Sequence, residues 1–245
     1  MTDEFETGTT RFQMNLIYLV DDSGSMTGEP INQLNVAMAE AVQVAEEAAR
    51  EKEVQLLMRV VEFNSTARWI IGDTRTGVSH IDWKPLTANG ATDTAGAIDL
   101  ARGVMHREFL GERNYRPVVI LITDGASSEP EKTARAIQDL KNSLKSRTDP
   151  SKDKIIRIAI GVSGANQEEL RMFASLGNIE RPDGTMEENV PLVFNVDNIG
   201  LLKSIVKGLT QSSITSSITT GTGEGDDTPI INPTFEEDDE EDWTP

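Results

Sequence analysis

Asp21, Ser23 and Ser25 alternate in "LVDDSGSM", where an apolar run stops; Thr92 lies in "NGATDTAG", and Asp124 closes "VVILITDG". The D-x-S-x-S spacing lets a tight turn aim residues 21, 23 and 25 at one point, with Gly24 relaxing the backbone between the serines. Carboxylate and hydroxyl oxygens, with no imidazole or thiol among them, suit a hard cation. Mg²⁺ is the natural intracellular choice; Mn²⁺ and Ca²⁺ also suit such a shell. Any one of these residues alone reads as a turn former at a strand end. The chemistry depends on all five meeting, and so on the elements that carry them.

Between Arg11 and about Gln211, short apolar runs rich in β-branched residues alternate with longer segments of helical period. The strand expectations are 15–21, 54–63, 67–72, 117–123, 155–162 and 192–196. A first helix carries Ile31, Leu34, Met38, Ala41, Val42 and Ala45 on one face, with Pro30 suited to its first turn. Ser128 with Glu131 fits a capping box, Asn166 with Glu169 resembles one, and Asp197 precedes a last helical stripe from Ile199 to Leu209. Continuous apolar strands separated by helices predict an α/β fold: a doubly wound, mainly parallel central sheet with helices on both faces. Such sheets bind ligands at the carboxyl ends of their strands, which is where Asp21, Thr92 and Asp124 fall. Asp93 and Thr94 read as helix caps, and His80 and His106 as structural or exposed.

Charge and composition narrow the partners. The chain has 245 residues, 41 acidic against 23 basic, for a formal charge of -18. That balance repels nucleic acid and anionic lipid. No apolar window approaches the ~20 residues of a membrane helix, and the acidic start does not resemble a signal peptide, so a cytoplasmic location is expected. Cysteine is absent, which removes thiol chemistry and agrees with a reducing compartment. After Lys207 there is no basic residue, while ten acids follow from Glu224 to Asp242. The expected organisation is a flexible N-terminus over 1–11, one domain over 12–211 and an acidic, disordered tail over 212–245. Within that tail Thr228, Thr234 and Thr244 have acidic or proline neighbours that suit a kinase. Its carboxylates could also reach the metal site, since ~30 flexible residues span an r.m.s. ~30 Å; deleting 222–245 would then tighten partner binding.

Asp21-x-Ser23-x-Ser25, with Thr92 in "GATDT" and Asp124 in "LITDG", resembles the metal-ion-dependent adhesion site (MIDAS) of von Willebrand factor A (VWA) domains. The resemblance spans about Arg11 to Leu209. It implies a VWA fold and a divalent ion coordinated by Ser23, Ser25 and Thr92, with Asp21 and Asp124 acting through water. It also implies a protein partner whose Asp or Glu completes the metal shell. "YLVDDSGSMTGEPI" looks most like the bacterial TerY-like proteins of tellurium-resistance and stress cassettes, which implies a protein kinase and a PP2C-type phosphatase as partners. Asp22, commonly a small hydroxyl residue in relatives, adds a carboxylate beside the metal loop.

Other function classes fit less well. A phosphatase of the haloacid-dehalogenase kind needs D-x-D after its first strand, and residue 23 is Ser. A receiver domain needs a Lys beyond its acceptor Asp, and "IAIGV" offers none. Phosphate-loop and G-x-S-x-G motifs are absent. An adaptor of an AAA+ ATPase would keep the fold and change the partner.

Overall fold

The computed structural model describes residues 12–72, 81–105, 114–147, 149–162, 164–181, 183–222 and 228–233. The expected flexible N-terminus, both histidines, Thr234 and Thr244 lie outside these.

Strands β1 (Gln13–Asp21), β2 (Gln55–Phe63), β3 (Ala67–Ile71), β4 (Val118–Thr123) and β5 (Ile156–Val162) correspond to the first five apolar runs. β6 (Leu176–Glu180) and β7 (Met186–Pro191) form a hairpin, β8 (Val193–Val196) follows, and β9 (Ile230–Ile231) comes last. Helices α1 (Glu29–Glu51), α2 (Thr94–Gly103), α3 (Pro130–Ser143), α4 (Gln167–Phe173) and α5 (Leu202–Thr219) lie between them. The main sheet has six strands in the order β3-β2-β1-β4-β5-β8. It is parallel apart from β3, which pairs antiparallel with β2 at one edge.

The period of two along the strands divides the core into two. Leu16, Tyr18 and Val20 of β1 pack with Leu34 and Met38 of α1 and Ile205 and Leu209 of α5. Ile17 and Leu19 point to the other face, with Ile98 of α2, Ile137 of α3 and Phe173 of α4. Because both faces are covered, residues 16–20 of β1 and 118–122 of β4 read as continuous apolar runs rather than alternating ones. This is the mainly parallel α/β sheet with helices on both sides that the sequence predicts.

Three features correct the sequence reading. The expected domain end at 211 falls inside α5, which runs on to Thr219 with Ser213, Ile214 and Ser217 buried. Composition misled here: the buried Ser213 and Thr220 hydroxyls donate to the carbonyls of Thr210 and Ser216. The Ser217 hydroxyl donates to Arg116 O at 2.6 Å. These residues, polar in the text, thus satisfy themselves against backbone and fit a packed helix. Second, β9 joins β6 in parallel and so completes a small sheet of order β7-β6-β9, with Ile231 buried. The hairpin strands "LGNIE" and "MEENVP" are short and polar, and give no periodic signal. Third, Ser128 does not cap α3. That helix starts at Pro130 after Glu129, and the backbone N–H of Glu129 donates instead to the Ser127 hydroxyl at 3.1 Å. The proline fixes where the helix begins and excludes a capping box one residue earlier. Asn166 does cap α4, accepting from the N–H groups of Glu168 and Glu169. The last helix is entered through a short 3₁₀ turn at Ile199–Leu201 capped by Asn198 rather than Asp197.

Candidate metal centre

Asp21 is the last residue of β1, opposite Phe63 of β2 and one step past the Val20–Ile122 pair with β4. Its carboxylate is fully buried. One oxygen, Oδ1, accepts the Ser23 N–H at 2.8 Å and the other, Oδ2, accepts the Thr123 hydroxyl at 2.5 Å. The chain then makes a single 3₁₀ turn over Gly24–Met26, pinned by the buried Met26 side chain. That turn puts the Ser23 and Ser25 hydroxyls 3.0 Å apart, and Ser25 Oγ donates to Asp124 Oδ1 at 2.7 Å. Four of the five expected residues therefore meet in one hydrogen-bonded group at the carboxyl ends of β1 and β4.

Thr92 arrives on a third loop, held against the first by backbone bonds. The Asn89 N–H donates to Asp22 O at 2.8 Å and the Gly24 N–H to Gly90 O at 3.0 Å. Glycine is needed on both sides of this contact. A Cβ on Gly24 would lie 3.1 Å from Gly90 O, while Gly90 has φ +76° and a Cβ there would sit 2.4 Å from Ser65 Oγ. Gly24 thus serves close approach rather than only backbone freedom. Thr92 itself is buried and makes a reciprocal pair with Ser128: its N–H donates to Ser128 Oγ at 3.0 Å, and the Ser128 N–H donates to Thr92 O at 3.0 Å. The loop after β4 is thereby fastened to the Thr92 loop. Asp93 caps α2 by accepting from the Gly96 N–H at 3.0 Å. Thr94 is not a cap; it begins the helix, and its hydroxyl is buried without a partner among the described residues.

Sequence reasoning missed Thr123, Ser128 and Asn64. Thr123 adjoins Asp124 in "ITDG" and could have been read as a partner for the buried Asp21. The other two act across loops, which no local pattern reports. Asn64 receives the Asp93 N–H on its carbonyl at 2.7 Å and donates its side-chain amide to Asp22 Oδ2 at 3.1 Å.

Burial raises the Asp21 carboxyl above the usual carboxylate range; hydrogen bonds from Ser23 and Thr123 oppose this, and the nearby Asp124 charge adds to it. Asp22 is pushed up to about 6, first by burial and then by the Glu62 carboxylate. The extra acid expected beside the metal loop thus engages Asn64 and neighbours Glu62 on β2. Among the described residues no three His, Cys, Asp or Glu side chains gather as a metal cluster. The donors here are two carboxylates and three hydroxyls, an oxygen set that suits a hard divalent cation. Since both Asp21 oxygens are already engaged, the groups best able to turn toward an ion are the Ser23, Ser25 and Thr92 hydroxyls and the second Asp124 oxygen, Oδ2.

Residues 15–208 match the model of the von Willebrand factor type A domain. The chain belongs to the VWA family. Its members are protein-interaction modules, and a divalent metal at the MIDAS motif is found in relatives. No curated protein sequence matches the chain. Among solved structures, a von Willebrand factor type A protein from Catenulispora acidiphila shares 18% identity at TM-score 0.59, covering 83% of this chain and 43% of its own. Proximal thread matrix protein 1 from the mussel byssus, solved with zinc in its MIDAS motif, shares 16% identity at TM-score 0.54 over 83% of this chain and 46% of its own. The ArnB paralog VWA2 from Sulfolobus acidocaldarius shares 13% at TM-score 0.53, over 80% and 44%. At these identities the likeness shows the VWA fold alone, and this chain spans less than half the length of each structure. No helix among the described residues is long and apolar enough to cross a membrane.

Proposed function

We propose that this VWA domain is a non-enzymatic, metal-dependent protein-interaction module whose site is Asp21, Ser23, Ser25, Thr92 and Asp124. The observation that carries this reading is the hydrogen-bonded run from Asp21 through Ser23 and Ser25 to Asp124, with Thr92 fastened beside it. A Mg²⁺ ion held mainly by neutral hydroxyls would keep a high affinity for one more anionic oxygen, such as an Asp or Glu of a partner. Asp21 orients the turn by accepting the Ser23 N–H. Thr123 fixes the far side of that carboxylate. Asp124 positions the Ser25 hydroxyl, and the Ser128–Thr92 pair holds the third loop in register. A scaffold role beside a kinase and a PP2C-type phosphatase in a bacterial stress-response or tellurium-resistance system rests on the resemblance of "YLVDDSGSMTGEPI", and a cytoplasmic location agrees with it.

Calorimetric Mg²⁺ titration of the full chain, beside a Ser23→Ala/Ser25→Ala variant that keeps the parent's circular dichroism, tests the site. We expect one ion per chain in the parent and none in the variant. Equal affinity in both would overturn the assignment. Mg²⁺-dependent pull-down with the parent and with Asp124→Ala then tests capture of an acidic partner, and equal recovery by the two would overturn that step.

A further inference from the structure

At the opposite end of the sheet from Asp21 lies a cleft of about 710 Å³ between the C-terminal half of α5 and the β6–β9 edge. Its place follows from the chain path: α5 leaves the rim after β8, and Gly221, just past its end, accepts the N–H of Arg116, just before β4 starts. Among the described residues its walls carry hydroxyls, amides, the Ile230 side chain and one carboxylate, with no Lys, Arg or His.

The hydrogen bonds already made decide what it can take. Thr215, Thr219 and Thr220 each commit their hydroxyl hydrogen to a carbonyl four residues back. What remains to a ligand at these three positions is lone pairs. Glu180 Oε2 accepts from Asn232 Nδ2 at 2.9 Å, and as a carboxylate it has further acceptor capacity. The Asn232 N–H donates to Ser212 Oγ at 2.6 Å, which fixes β9 as the far wall. Ser216, 4% exposed, also lines the cleft, and its buried hydroxyl has no partner among the described residues. Among the described residues the cleft therefore offers the threonine lone pairs and one carboxylate, Glu180, beside the amides of Asn178 and Gln211, which both donate and accept. The chain's formal charge of -18 draws cations toward its surface as a whole.

We propose that this cleft is a second binding site, independent of the metal, for a cationic group rich in hydrogen-bond donors: a guanidinium or alkylammonium held by Glu180 with the threonine hydroxyls around it. Such a group arises either from a free polyamine or from an Arg or Lys side chain of a peptide.

The test uses the full chain with two probes, spermidine and N-acetyl-arginine amide, by calorimetry at physiological salt. Three proteins are compared: the parent, Glu180→Gln, and Glu131→Gln as a charge-matched control on exposed α3. Glu180→Gln retains an oxygen for Asn232, so the β6–β9 contact stays. We expect one-to-one binding of at least one probe. It should fall about tenfold or more in Glu180→Gln, the loss of one charge-assisted hydrogen bond, and be unchanged in Glu131→Gln. Preference for spermidine would identify a free polyamine, and preference for the arginine amide a peptide side chain. Equal losses in the two variants would mean diffuse attraction to an acidic surface and would overturn the proposal, as would no binding of either probe at millimolar concentration.

Discussion

Asp21 is the residue on which the rim turns. Its burial is tolerated because both oxygens have donors, and one of those donors is the Thr123 hydroxyl at 2.5 Å. Replacing Thr123 with Val keeps the shape but leaves a buried carboxylate oxygen without a partner, which costs about 1–3 kcal/mol. Urea denaturation should show that loss, and Mg²⁺ affinity should weaken with it because Asp21 would no longer be held in place. An unchanged midpoint would mean that Asp21 is not constrained by Thr123. The sequence made Asp21 visible by its position, a carboxylate ending an apolar run. Thr123 stayed unremarked because its partner lies 102 residues away on a neighbouring strand.

At the scale of elements, the three rim loops act as one body because they are tied backbone to backbone. Gly90 is the most sensitive point in that fastening. Alanine there would have to accept φ +76° and a Cβ 2.4 Å from Ser65 Oγ. The expected cost is about 1–3 kcal/mol from backbone strain, read as a lower Tm. The same substitution should weaken Mg²⁺ binding, since the displaced loop carries Thr92 two residues on. Loss of stability with full metal affinity would show that Thr92 is placed independently of Gly90. Periodicity located the central strands to within two residues. It could not locate β6, β7 or β9, which are short and polar and owe their pairing to neighbours rather than to local preference.

For the molecule as a whole, the C-terminal segment is part of the structure well past the point where its composition turns polar. A chain ending at 211 would lose buried Ser213, Ile214 and Ser217 of α5 together with Ile231 of β9. Burial of a single isoleucine is worth about 2–5 kcal/mol when truncated to Ala, comparable with much of a domain's net stability. We therefore expect that chain to aggregate or to melt far below the parent in a thermal scan; a native-like Tm would contradict the packing described. The deletion that tests whether the tail's carboxylates reach the metal site has to spare this packing. Deleting 222–245 removes β9 as well as acidic residues, whereas a chain ending at 233 removes acids and leaves the strand. Only the second deletion, scored by Mg²⁺-dependent partner capture, isolates the effect of the carboxylates.

From sequence alone came the layered α/β architecture, the rim on which chemistry would sit and the five residues of the candidate site. Apolar runs separated by helices fit a sheet covered on both faces, and the D-x-S-x-S stretch falls at the carboxyl end of a strand, where such a sheet binds its ligands. Tertiary structure alone decided three further matters. It pairs Ser128 with Thr92 instead of leaving it to cap α3, because a proline two residues later had already fixed where that helix starts. It turns Asp22 to Asn64 rather than to the serines. It packs one face of a serine- and threonine-rich stretch into the core as a helix, because a buried hydroxyl that bonds a backbone carbonyl no longer needs water.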